Sequence, residues 1–306
     1  MPSPDRGRPV CKARLLAGLF VAGLTLPLFA APAIPLASVD HACDRLGQRL
    51  RSVDAGFCKA AGFQADAASR AGFPLLHRDF RPRPETAAPR RVLMIGGIHG
   101  DELTSVSIVF DWMRRLDQER LQPFHWRVIP SANPDGLLRA PSWRMNRGGV
   151  DLNRNFPSVD WGTRALDYWR QRTGADPRRY PGPRALSEPE TVWLTEQIRQ
   201  FEPHAIVSIH APYGVLDFDG PQHPPQRFGL LRLNQLGTYP GSLGNFAGVD
   251  LALPVITLEL PHAGIMPTKA QSQRIWTDML TWLADHLPEA PTAWHPPLRY
   301  PEDGDR

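Results

Sequence analysis

At 306 residues, with 42% of them hydrophobic, the chain can bury a sizeable core, and its composition excludes a disordered or low-complexity protein. The formal charge of +4 looks basic, but residues 1–33 hold Asp5, Arg6, Arg8, Lys12 and Arg14 and so carry +3 of it. The remaining +1 gives no electrostatic case for nucleic-acid binding.

The chain opens with a basic start, an apolar stretch from Leu15 to Ala31 and a small-residue site at Ala31-Pro32-Ala33. That is the layout of a secretory signal, so residues 1–33 are expected to be a leader cleaved after Ala33 and the mature protein to be exported to the periplasm, with no stable membrane insertion. An uncleaved anchor is the alternative, against which stand Pro27 and the shortness of the apolar stretch. Cleavage leaves Cys43 and Cys58, an even pair that in an oxidising compartment reads as one disulfide; the spacing is wrong for a structural zinc module. Between Val39 and Ala68, Leu46, Leu50 and Val53 fall at helical spacing, which predicts a helical segment (34–72) stapled by that disulfide.

Phe73 to Phe80 is expected to be an edge strand. Val92 to Ile98 reads as a buried strand, Leu103 to Leu116 as an amphipathic helix and Trp126 to Pro130 as a second strand. This alternation implies an α/β fold with a mixed, mostly parallel central sheet flanked by helices, in a single domain over 73–288. Residues 133–184 are rich in Gly, Pro, Asn and Arg and are expected to be functional loops. Ser187-Glu188-Pro189-Glu190 has the form of a capping box before a helix to Phe201. Ala205 to His210 and Leu253 to Leu260 are apolar strands, Lys269 to Leu287 is an amphipathic helix, and 289–306 is a proline-rich tail.

His99 and Glu102, just after an apolar strand, have metal-ligand spacing but alone are a weak pattern. His210 ends another strand, and ligands bind beyond the carboxyl ends of strands in open α/β sheets, so the three can converge. His41, His77, His125, His204, His223, His262, His286 and His295 lack that placement and read as surface or solvated. Glu259 sits inside the apolar run Val255 to Leu260, where a carboxylate is costly unless it serves as a buried general base or is held in an ion pair. The stretch Arg144 to Pro157 packs three arginines and three asparagines around Asp151. Arg suits bidentate binding of a carboxylate, with Asn as a neutral donor.

His99-Gly-Asp-Glu102, Asn133-Pro-Asp-Gly136, Val150-Asp-Leu-Asn-Arg-Asn-Phe-Pro157, Ser208-Ile-His210 and Thr257-Leu-Glu259 together resemble the zinc carboxypeptidases, and among them the murein peptide amidase branch. The resemblance covers about residues 69–287. It implies a zinc carboxypeptidase-like domain in which one Zn2+ is held by His99, Glu102 and His210 and Glu259 is the general base. It further implies that Arg144 stabilises the oxyanion, Asn153 and Arg154 clamp a substrate carboxylate, and Asp151 supports them from behind. Tyr239 stands only two residues before Gly241, closer than the family's capping tyrosine, and remains a possible substrate residue. The disulfide segment has no counterpart in the compact amidases.

The expected activity is hydrolysis of an amide next to a carboxylate, above all the γ-D-glutamyl-diaminopimelate bond of peptidoglycan stem peptides. A conventional carboxypeptidase and an acylamino-acid deacylase of the aspartoacylase type are the alternatives. The expected partner is a peptidoglycan-derived or other small peptide, with no nucleic acid and no partner protein evident.

Overall fold

A computed structural model describes residues 38–85, 89–119 and 121–287. The expected leader and proline-rich tail lie outside them. The strands are β1 (Gln64–Ala68), β2 (Pro74–Phe80), β3 (Arg90–Gly96), β4 (Phe124–Ile129), β5 (Ala205–His210), β6 (Val215–Asp219), β7 (Arg227–Phe228), β8 (Leu231–Leu233) and β9 (Val255–Glu259). The helices are α1 (Val39–Arg49), α2 (Ala55–Ala60), α3 (Leu103–Gln118), α4 (Pro134–Leu138), α5 (Trp161–Arg172), α6 (Pro189–Phe201) and α7 (Lys269–His286). All nine strands join one sheet in the order β1-β2-β4-β3-β5-β9-β6-β8-β7.

The sheet is parallel at its centre, where β4, β3, β5 and β9 pair, while β1-β2, β2-β4, β6-β9 and β7-β8 are antiparallel. The mostly parallel expectation therefore describes the centre of a mixed sheet. The central strands are near-continuous apolar runs because both of their faces are covered. Val92, Met94, Val207, Ile209, Ile256 and Leu258 pack on α3 and α7, with Trp112, Trp276 and Met279 in that layer. Their neighbours Leu93, Ile95, Ile206 and Val255 face the other way, onto Leu194 and Ile198 of α6 and Phe246. These alternating faces make β3, β5 and β9 a rigid frame whose carboxyl ends open on one side.

Several local expectations need correction. Residues 64–68 are not helical: they form β1, and because β1 covers β2, the 73–80 strand is not at the edge. The 133–184 span contains α4 and α5; Asn133 caps α4 by accepting from Gly136 N–H at 2.9 Å. Ser187 does not cap α6, whose N-cap is Glu188 without a side-chain bond. Ser187 Oγ instead donates to Glu188, and a capping box is found at Thr268 and Gln271, opening α7. His77, His125 and His204 are buried, not solvated. His125 is held by Asp79 at 3.2 Å and His204 accepts from Arg91 N–H at 2.9 Å, partners too far along the chain for local patterning to reveal.

Cys43 and Cys58 form a disulfide joining α1 to α2. No helix among the described residues is long and apolar enough to cross a membrane.

Candidate active site

Three sheet ends meet. The turn after β3 carries His99 and Glu102, and Glu102 is the N-cap residue of α3. His210 is the last residue of β5 and Glu259 the last of β9, and these two are direct partners in the parallel ladder. The turn is pressed so closely against α4 that a Cβ on Gly100 would overlap the backbone of Gly136 and Leu137. Only glycine fits there.

His99, Glu102 and His210 are all buried, and their potential ligand atoms lie within 4.8 Å of one another. His99 Nδ1 is 2.8 Å from Glu102 Oε1 and His210 Nδ1 is 3.0 Å from Glu102 Oε2. The outer nitrogens are occupied, His99 Nε2 by Asp151 Oδ1 at 3.2 Å and His210 Nε2 by Ser208 Oγ at 2.9 Å. Asp151 can only accept, which makes His99 Nε2 the donor and leaves its Nδ1 lone pair pointing inward, and Ser208 Oγ can accept from His210 Nε2 in the same way.

The two Nδ1 atoms are 3.1 Å apart. Two lone pairs and a carboxylate converging at that distance need a cation between them. Electrostatics agree: burial opposes charge on His99, but Glu102 and Asp151 raise its pKa above the ordinary histidine value. Glu102 and Asp151 stay far below the usual carboxylate range despite burial, drawn down by the histidines and, for Asp151, by Arg144. Two imidazoles and one carboxylate are a donor set that fits zinc and leaves room for a fourth ligand.

Glu259 is buried, and its Oε2 has no hydrogen-bond partner among the described residues. Burial, reinforced by Glu102, pushes its pKa up against the opposing effect of His210. Arg144 Nε donates to Asp151 Oδ2 at 2.9 Å, and its Nη1 lies 3.6 Å from Glu102 Oε1. One aspartate thus orients both His99 and Arg144.

Arg154 is buried with no carboxylate in ion-pair reach among the described residues. Burial lowers its pKa. Its guanidinium lies 4.3 Å from the centre of the Tyr239 ring and donates to Asn153 O at 2.6 Å. Asn153 Oδ1 accepts from Leu243 N–H at 2.8 Å, which ties this loop to the Tyr239 loop. Gly241, at φ +79°, sits where a Cβ would collide with Arg154 O. Tyr239 Oη donates to Leu236 O at 3.3 Å and its ring covers Arg154, so the structure brings it to the site despite its unusual spacing.

The other residues of the Arg144–Pro157 stretch serve the loop itself. Asn146 donates to Glu188 and Glu190 at 2.7 and 2.9 Å and accepts from Gly148 and Val150 N–H, while Asn155 donates to Pro181 O and Arg184 O. Arg147 is exposed.

His99, Glu102, Arg144, Asn153, Arg154, His210, Tyr239 and Glu259 line one cleft of about 250 Å3. Asp217 and Asp219 on β6 line it too, and sequence reasoning missed them. Asp217 accepts from Phe218 and Leu236 N–H. The Asp219 carboxylate has no partner among the described residues, and burial together with Asp217 pushes its pKa up to about 7. The alternation Val215-Leu216-Asp217-Phe218-Asp219 was a usable strand signal, but nothing local says that its polar face meets the cleft.

Comparison with known proteins agrees with this geometry. The zinc carboxypeptidase family pattern matches residues 68–218. Murein peptide amidase A of Escherichia coli K12 is 35% identical over 189 residues, 58% of this chain and 74% of that protein. The protein of the same name from Vibrio campbellii is 33% identical over 199 residues, covering 62% and 75%. In three dimensions, murein-tripeptide amidase from Escherichia coli O157 aligns with a TM-score of 0.52 at 28% identity, over 72% of this chain and 91% of that one. The protein is thus a member of the zinc carboxypeptidase family, a zinc metallopeptidase or amidase.

Proposed function

We propose that this enzyme hydrolyses the amide between γ-D-glutamate and a diamino acid in peptidoglycan stem peptides, as an exported, periplasmic protein. The observation that carries the reading is the charge pattern of the cleft. Among the described residues Arg154 is a buried cation without a carboxylate, which suits the carboxylate of the leaving amino acid, and Asp219 is an acid without a cation, which suits an ammonium on the same product. A diamino acid supplies both groups. The similarity to murein peptide amidases supports the same substrate.

In this reading His99, Glu102 and His210 hold one zinc ion, which when bound polarises the scissile carbonyl and acidifies water. Glu259 accepts a proton from the attacking water, for which its raised pKa and unpartnered Oε2 suit it. Arg144 donates to the oxygen that becomes negative as the carbonyl carbon turns tetrahedral. Glu259 then returns the proton to the departing nitrogen, the C–N bond breaks, and a carboxylate and a free amine leave. Asn153 and Arg154 hold the substrate carboxylate, with Tyr239 packed on the guanidinium.

Asp219 also favours a second reading, removal of C-terminal lysine or arginine from peptides, in which the same acid meets the basic side chain. Incubation with L-alanyl-γ-D-glutamyl-diaminopimelate and with benzoyl-glycyl-lysine, with products identified by mass, separates the two. Free diaminopimelate from the tripeptide is expected; turnover of benzoyl-glycyl-lysine alone would replace the amidase assignment with the carboxypeptidase one.

A further inference from the structure

A groove of about 800 Å3 lies away from the catalytic cleft. One wall is α1, which contributes His41 and Arg45; the other is the segment from α4 to Arg147, which contributes Arg139, Trp143 and Arg147. Arg45, Arg139 and Arg147 have no acidic partner among the described residues, Arg139 being engaged only with the face of Trp143. The one acid of the lining, Asp135, is already bound through both oxygens, to Ser69 Oγ and to Ala71 N–H at 2.9 Å. Three guanidinium groups without an acidic partner among the described residues, set around one concavity, form an anion-selective surface.

The walls are tied together. Arg49 of α1 donates to Leu137 O at 3.0 Å and to Ser142 Oγ, and the disulfide fixes α1 to α2. The disulfide-stapled segment therefore builds one wall of a preformed groove. Trp143 and Arg147 face this groove, whereas Arg144 between them lines the catalytic cleft, so one short loop serves both places.

We propose that this groove is a second binding site, for acidic peptide, separate from the catalytic cleft. Planar guanidinium forks match carboxylates, the Trp143 ring on which Arg139 stacks holds one of those forks in place, and the volume accommodates several residues. A fluorescently labelled penta-glutamate with an amidated C-terminus, which lacks the terminal carboxylate that Arg154 would read, is titrated by anisotropy into full-length Glu259→Gln protein. Binding that weakens with salt is expected, with at least about a tenfold loss in Arg45→Gln/Arg147→Gln protein and no change in Arg154→Ala protein. On the Glu259 background, the double variant should hydrolyse a small uncharged amide substrate within about twofold of the wild-type rate. Equal binding by the double variant, or loss of binding on Arg154→Ala, would overturn the proposal. Tighter binding of a single-stranded oligonucleotide of equal charge would transfer the groove to a different ligand class.

Discussion

Glu259 and Arg154 are a matched pair of anomalies among the described residues, a buried acid with an idle oxygen and a buried cation with no acid in ion-pair reach. Glu259→Gln keeps shape and hydrogen-bonding atoms but cannot take a proton. Turnover should fall at least ~10²-fold while the zinc content, read by atomic absorption, is unchanged. Arg154→Ala should raise KM by about ten- to a hundredfold for substrates with a free carboxylate, the range of a charge-assisted hydrogen bond, and leave a carboxamide analogue unaffected. If both substrates suffered equally, Arg154 would be a packing residue and not a clamp. These residues were legible in the sequence because His99, His210 and Glu259 each follow or end an apolar run, where polar side chains need a reason. Asp219 was not legible, since its importance depends on β6 turning back antiparallel along β9, a pairing that no local pattern encodes.

At the scale of elements, the loop between α4 and α5 is shaped by buried side chains of its own. Asn146 is the hub, so Asn146→Ala leaves Glu188 and Glu190 short of a donor and two loop N–H groups, those of Gly148 and Val150, without their acceptor. A loss of about 2–3 kcal/mol in urea unfolding is expected, more than a surface asparagine gives. Gly241→Ala is the sharper probe: the new Cβ meets Arg154 O at a left-handed φ, so the two loops must part. KM should rise more than kcat falls, and a KM unchanged within twofold would show that the clamp tolerates the displacement. The three longest helices and the central strands followed from periodicity. Strand β1 and helix α5 did not, because β1 is short and half-exposed and the inner face of α5 is little more than Trp161 and Ala165. His77 and His125 were misread for the same reason as Asp219: their acidic neighbours arrive from other strands.

For the whole molecule, Glu190 provides a titration signature. Burial lifts its pKa to about 7, so the folded state holds a proton that the unfolded chain releases near the ordinary glutamate value. Its contribution is fully present below that value and is lost as pH rises toward 7, with a slope of at most about 1.4 kcal/mol per pH unit. Urea midpoints between pH 4.5 and 7 should fall less steeply for Glu190→Gln than for wild type, whatever the constant offset between them. The disulfide closes a separation of 15 residues, and replacing both cysteines by alanine should cost about 3 kcal/mol. The pairing of His210 with Glu259 across β5 and β9 has a different kind of consequence. The spacing of these two side chains is set by the backbone ladder, which stands whether or not an ion is present. The seat exists before its occupant, so chelated enzyme should keep its circular dichroism spectrum and regain full activity on adding zinc without a denaturation step. A single-residue deletion within β9 would turn Glu259 to the opposite side of the sheet, leaving an enzyme that still binds its metal and can no longer use it.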